Sequence, residues 1–346
     1  MIVALTCLLC SGEADRKIMT RVLLLLKRRA CLIVALFDVR FLNDAMRPNC
    51  RDFCHNSKCA TIPNAGLARL VRFATERPAM AAECKEAGIM KLNRTLRDCV
   101  YGMAVGDALG VPFEFKPRGS FECTDMVGGG SHNQLTGTWS DDTSMALALC
   151  DSYRELGRVD CDDILRRFRA WINDGVYTAD GVAFDYGNAT RKALATGRGG
   201  AGEWDKGNGS LMRCLPMVFM NCTSAEVRAV SAITHATDAC MDACEKMIRY
   251  AARLMREGSP AGESAGGPGG SSGYVWDTYN AAIWCLEHTE SYKECVLAAV
   301  NLGDDTDTTA CVAGGLAGIL YGREAIPSEW LATLRGKDVI EACLFE

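Results

Sequence analysis

Five aspartates in two short runs are the residues of this sequence best suited to chemistry. The runs are Thr138-Trp139-Ser140-Asp141-Asp142-Thr143 and Gly303-Asp304-Asp305-Thr306-Asp307-Thr308-Thr309. Each precedes a strongly helical stretch, where the helix dipole and free backbone N–H groups favour a carboxylate. Either run alone therefore reads as an acidic N-cap. Together they exceed what capping needs, because one side chain caps a helix. Like charges held a few ångström apart in a low-dielectric interior repel strongly, and a bound cation offsets that repulsion. Oxygen donors from Asp, Ser and Thr suit hard ions, Mg²⁺ or Mn²⁺, rather than zinc.

Other segments offer weaker signals. Gly207-Asn208-Gly209-Ser210 would let backbone amides approach an anion such as a diphosphate, with a helix starting after it; the alternative is a tight turn. Gly128-Gly129-Gly130 carries the same suggestion less specifically. His235 is one of four histidines, and a lone histidine in a helical region is more often structural. Cys50, Cys54, His55 and Cys59 form a compact set, but their spacing departs from the usual zinc knuckles.

The elements that must position these residues read as helices. Apolar residues recur at i, i+3 and i+4 over 96–109, 143–156, 162–173, 225–236, 239–257, 274–287, 292–302 and 308–321. Phe168 and Trp171 fall on such a stripe and read as core. Gly314 and Gly318 would let a neighbouring helix come close. Alternating strand patterns are nearly absent, so the expected class is all-α. The glycine-rich segment 258–273 reads as a flexible surface loop. Residues 1–92 mix basic clusters, cysteines and short apolar runs without a period. They read as an irregular N-terminal extension, leaving 93–346 as the catalytic domain.

Composition narrows the class. The chain has 346 residues, 49% of them hydrophobic, enough for a sizeable core. A net charge of −5 argues against nucleic-acid binding. Nineteen scattered cysteines read as small buried hydrophobes in a reducing compartment, hence a cytoplasmic protein. The apolar run before Phe37 is interrupted by Lys27-Arg28-Arg29, so no membrane span is expected.

The stretch from Gly102 to Glu114, Gly-Met-Ala-Val-Gly-Asp-Ala-Leu-Gly-Val-Pro-Phe-Glu, resembles the opening motif of the ADP-ribosylglycohydrolase family. The Ser-Asp-Asp-Thr turn at 140–143, Gly-Asn-Gly-Ser-Leu-Met-Arg at 207–213, Thr234-His235-Ala236 and Asp-Thr-Asp-Thr-Thr-Ala at 305–310 follow in that family's order. The resemblance covers roughly residues 96–321. It implies a compact multi-helix domain with a dinuclear metal cleft holding two Mg²⁺ or Mn²⁺ ions. Mapped residue by residue, it implies ligation by Ser140, Asp141, Asp142, Asp305, Asp307 and Thr308, with Ser140 standing where relatives often carry Thr. Asp304, where many relatives have Gly, would support or cap rather than ligate. Asp185 in Asp185-Tyr186-Gly187-Asn188 matches an acidic element near the substrate ribose and joins Asp142 and Asp305 as a candidate catalytic group. Asp107, Glu114, Gly207, Asn208, Gly209, Ser210 and His235 become candidate substrate contacts.

The implied activity is hydrolysis of ADP-ribose from a modified protein side chain. The motif wording is closer to the arginine-directed group, and an acidic cleft suits a cationic guanidinium leaving group. The rivals are a two-metal phosphoesterase, which would release AMP, and an inactive binding or structural relative. A monomer is expected.

Overall fold

The structure, a computed structural model, describes residues 92–260, 262–264 and 267–346. The 1–92 extension, bar Leu92, and the set Cys50, Cys54, His55 and Cys59 lie outside the described residues. Within the described residues there are eleven α-helices and no β-strand; only isolated bridges such as Gly129–Gln134 and Gly207–Tyr274 occur. In chain order the helices are α1 (Leu96–Gly110), α2 (Asp141–Leu156), α3 (Cys161–Asp174), α4 (Asn188–Thr196), α5 (Ser224–Ala232), α6 (Asp238–Glu257), α7 (Val275–Glu287), α8 (Tyr292–Val300), α9 (Thr306–Tyr321), α10 (Ser328–Thr333) and α11 (Lys337–Cys343). The all-α class is as expected.

Local chemistry sets the helix ends. Thr95 and Asp98 form a reciprocal capping box at the start of α1. Gly157 and Gly175 stop α2 and α3 in the left-handed conformation. On α3 the stripe Ile164, Phe168 and Trp171 is buried, so both aromatics are core. Truncating either to Ala would cost about 3–5 kcal/mol.

The core is built around α1 and α9, which are buried on almost every side. They run antiparallel with their backbones in contact. A Cβ on Gly102 would lie 2.2 Å from the Gly314 carbonyl oxygen, one on Gly106 2.0 Å from that of Ala310, and one on Gly318 2.2 Å from that of Asp98. At the far end a Cβ on Gly110 would lie 2.3 Å from Asp307 Cα, and Thr306 Oγ1 donates to the Gly110 carbonyl at 2.8 Å. The glycines foreseen at 314 and 318 thus face α1, and this seam brings the end of α1 to the start of α9.

Three expectations change. No helix follows Gly207–Ser210: the Leu211 and Met212 N–H groups both donate to the Asn208 carbonyl, making turns. Pro216, which lacks an N–H, then opens a 3₁₀ segment, Leu215–Phe219. The 258–273 segment is not merely a surface loop, because its end is tied inward: Asn208 N–H donates to Gly273 O and Asp305 N–H to Ser271 O. The short helices α4, α10 and α11 had no visible period. The twelve cysteines among the described residues are free thiols, ten of them buried. No helix among these residues is long and apolar enough to cross a membrane.

Candidate active site

Ser140 is the N-cap of α2, so Asp141 and Asp142 are not needed for capping and sit in the first turn. Asp107, near the end of α1, holds this turn. Its Oδ1 accepts from Ser140 N at 2.9 Å, and its Oδ2 accepts from Thr143 N at 3.1 Å and Thr143 Oγ1 at 2.6 Å. Asp107 was expected at the substrate. It is fully buried with both oxygens engaged, which gives it a positioning place instead.

The second run meets the first across the seam. Asp142 Oδ2 accepts from Ser140 Oγ at 2.9 Å and from Thr308 Oγ1 at 3.4 Å. Asp305 stands at the N-cap of α9 but makes no side-chain cap bond. Its Oδ2 instead accepts from Asn208 Nδ2 at 2.9 Å, and the same amide donates to Thr278 Oγ1 at 2.8 Å. Asp107, Asp142 and Asp307 each offer a carboxylate oxygen, all within 4.8 Å of one another. Asp304 lies outside this group: its backbone pairs with the 115–116 segment, through Phe115 N to Asp304 O and Asp304 N to Lys116 O.

The donor set fits a hard cation. Asp142 Oδ1, Asp305 Oδ1 and Asp307 Oδ2 are buried without a hydrogen-bond partner. Leaving a buried carboxylate oxygen unpaired is costly, and three together are what a cation would satisfy. Burial first, then neighbouring carboxylates, hold Asp141, Asp142 and Asp307 well above the usual carboxylate range. Asp107 is pushed up to about 7 by burial, against its hydrogen bonds from Thr143 and Ser140.

A second group gathers Glu114, His132 and Asp185 from three segments. Glu114 follows a 3₁₀ turn, Val111–Phe113, and Asp185 precedes α4. His132 sits on a hairpin closed by reciprocal Gly129–Gln134 backbone bonds. The Gly129 N–H is thereby used, so the 128–130 glycines serve a turn. His132 Nε2 hydrogen-bonds Glu114 Oε2 and lies 3.3 Å from Asp185 Oδ1. Asp185 and then Glu114 push the imidazole up to about 10, so it is cationic at neutral pH. Burial pushes Glu114 up to about 8, opposed by His132. Sequence reasoning missed His132. The available signal was a histidine beside a glycine run, in a chain with four histidines.

The remaining candidates pack behind the carboxylates. Asn208 N–H is used by Gly273, while Gly207 bridges Tyr274. Ser210 Oγ bonds to Ser231 Oγ and Cys244 Sγ within the core. His235 is buried, its Nδ1 2.8 Å from Thr234 Oγ1. Burial, reinforced by Arg213, pulls it down to about 3, keeping it neutral. A Cβ on Gly209 would lie 2.7 Å from His235 Cε1, so that glycine makes room for the ring. Arg213, also missed, is wholly buried over the Phe168 ring and donates to the Gly209 and Val230 carbonyls.

An all-helical domain with paired acidic turns at the facing ends of two helices defines the class. This chain belongs to the ADP-ribosylglycohydrolase family, whose model matches residues 90–266 and 245–345. It is 35% identical over 269 residues to ADP-ribosylarginine hydrolase Tri1 of Pseudomonas putida (strain GB-1), covering 68% of this chain and 72% of that one. It is 33% identical to the ADP-ribosyl-[dinitrogen reductase] glycohydrolase of Rhodospirillum rubrum, covering 67% of this chain and 87% of that one. A solved structure titled ADP-ribosylglycohydrolase-related protein complex aligns with a TM-score of 0.60 at 33% identity, over 72% of this chain and 94% of that one. The chain is accordingly a hydrolase of this family.

Proposed function

We propose that the protein removes ADP-ribose from arginine side chains of a modified protein, with two Mg²⁺ or Mn²⁺ ions held by Ser140, Asp141, Asp142, Asp305, Asp307 and Thr308. The observation that carries this reading is the trio of unpartnered buried oxygens on Asp142, Asp305 and Asp307. The arginine linkage is supported by the relatives named for it.

When bound, divalent cations orient ribose hydroxyls and acidify water. This chain's own residues do the rest. Asn208 holds the Asp305 carboxylate, and Asp107 holds the Ser140–Thr143 turn that carries Asp141 and Asp142. Asp185, grouped with Glu114 and His132, is the candidate to orient the guanidinium leaving group. A carboxylate of the Asp142 and Asp305 pair takes a proton from the attacking water as the C1′–nitrogen bond breaks, and the departing guanidine keeps the bonding pair. Acting as a cytoplasmic monomer without nucleic acid belongs to the same proposal.

The test is a panel of ADP-ribosylated peptides differing only in linkage, assayed with and without Mg²⁺ or Mn²⁺. Release of free ADP-ribose, fastest from arginine, supports the reading. Release of AMP would indicate a phosphoesterase, and faster serine cleavage would overturn the linkage. No metal-dependent product from any member would indicate an inactive relative.

A further inference from the structure

We infer that His132 is a built-in competitor at a leaving-group subsite: its imidazole fills, between Glu114 and Asp185, the slot that an incoming guanidinium takes. This rests on the arginine reading above.

The slot has the chemistry of a guanidinium site. Two carboxylates from separate segments converge on one planar cation. A guanidinium is also planar, and its fork of N–H donors matches paired carboxylates better than an ammonium does. The rings of Phe115 and Phe184 flank the imidazole, with centroids at 5.9 and 5.3 Å. Aromatic faces attract a weakly hydrated planar cation. A serine-linked substrate would bring no charge to this place.

The backbone points the same way. Phe115 (φ 66°) and Asp185 (φ 61°) both adopt the left-handed conformation that non-glycine residues rarely take. Phe115 is 66% exposed, so burial does not offset its strain. Strain kept at an exposed aromatic beside a carboxylate pair is the pattern of a ligand clamp. Phe115 is pinned there by its N–H to Asp304 O at 2.7 Å.

On this proposal the imidazole vacates the slot by side-chain rotation. Its side chain is 18% exposed. Its hairpin need not move: Ser131 Oγ holds the Glu114 carbonyl at 2.9 Å, and Gly130 packs on Pro112. With the substrate absent, the imidazole pairs with Glu114 and Asp185; with the substrate present, the guanidinium takes over that pairing. His132 therefore competes with the arginine linkage and sets its apparent affinity.

Agmatine, a guanidinium without ADP-ribose, is the probe. It is tested as an inhibitor of arginine-linked peptide hydrolysis by the full chain, beside ADP-ribose as a second inhibitor. His132→Ala is expected to lower the agmatine Ki by about fivefold, the scale of one partly exposed ion pair. KM for the arginine-linked peptide should fall with kcat little changed, and the ADP-ribose Ki should hold. His132→Gln, which retains a hydrogen-bonding group without charge, should shift the same way if the alanine variant misfolds. Phe115→Ala should raise the agmatine Ki. An agmatine Ki that is unchanged or raised in both histidine variants, with the ADP-ribose Ki intact, overturns the inference. Absence of arginine-linkage hydrolysis in the unmodified protein overturns the substrate reading instead.

Discussion

Asn208 and Asp305 are joined by a 2.9 Å hydrogen bond from side-chain amide to carboxylate Oδ2, and the same amide is braced by Thr278. Asn208 therefore orients Asp305 with its Oδ1 left unpartnered. Groups that orient a ligating carboxylate typically matter by 10–100-fold. Asn208→Ala is expected to weaken metal affinity and rate by roughly that factor while keeping a native far-UV spectrum. Isothermal titration with Mn²⁺ checks it; unchanged affinity would separate Asn208 from the metal site.

Metal removal should silence the enzyme, and Mg²⁺ or Mn²⁺ should restore it. Asp307→Ala should lower the rate by roughly 10²-fold or more, as loss of a positioned charge does. The carboxylates raised by burial and mutual repulsion take up protons on folding, so metal-free stability falls as pH rises. A cation reverses that penalty and competes with those protons. The metal-induced rise in Tm should therefore be larger near about pH 8 than near about pH 5.5. A Tm indifferent to metal at both values would count against the cluster as a cation site.

The seam between α1 and α9 has no room for a methyl group. Gly106→Ala would put Cβ 2.0 Å from the Ala310 carbonyl oxygen, which is backbone and cannot rotate away. Overpacking of this kind costs about 1–3 kcal/mol or more. The variant should melt several degrees lower, whereas Gly262→Ala, with nothing within 4 Å, should not. Differential scanning calorimetry on the pair decides it.

Asp163 links α3 to α2. It accepts from Arg167 Nε at 2.6 Å and Ser152 Oγ at 2.8 Å. Burial opposes its charge, yet Arg167, Arg166 and Ser152 pull it down to about 2. The folded value lies below the unfolded one, so its contribution is complete above about pH 4 and is lost as pH falls through about 2. Asp163→Asn should cost about 1–2 kcal/mol at neutral pH, after discounting for solvent screening. Its denaturation midpoint should approach that of the parent in acid; a constant gap would locate the effect elsewhere.

We further propose that residues 93–346 form the catalytic domain by themselves. A chain beginning at Asn93 is expected to fold and to hydrolyse substrate at the parent rate. A folded but inactive truncation would place the N-terminal residues in the reaction.

Much of the domain was legible because its signals are local. Amphipathic stripes and glycine stops mark α2, α3 and α6 within a few residues, and the two acidic runs announce themselves. Helices α10 and α11 escaped because six or seven residues show too little of a period, and α4 because its buried face, Thr190, Ala193 and Leu194, holds one large apolar residue. Ser210 and His235 sit in a matching motif, but their side chains turn into packing, which spacing cannot reveal. Asp107 belongs to α1 by sequence and to the Ser140–Thr143 turn by hydrogen bonding. His132 acquires meaning only when Glu114 and Asp185, distant in sequence, close around it.

The antiparallel seam also sets when the protein becomes competent during its synthesis. Asp107 and Asp142 leave the ribosome well before Asp307 and the glycines at 314 and 318. Until then the outward face of α1, including Gly102 and Gly106, has no partner, and the first acidic turn has nothing opposite it. A nascent chain lacking α9 therefore leaves apolar surface of α1 uncovered, the kind of surface that chaperones bind. The two acidic turns can face each other only once α9 has been made and packed against α1.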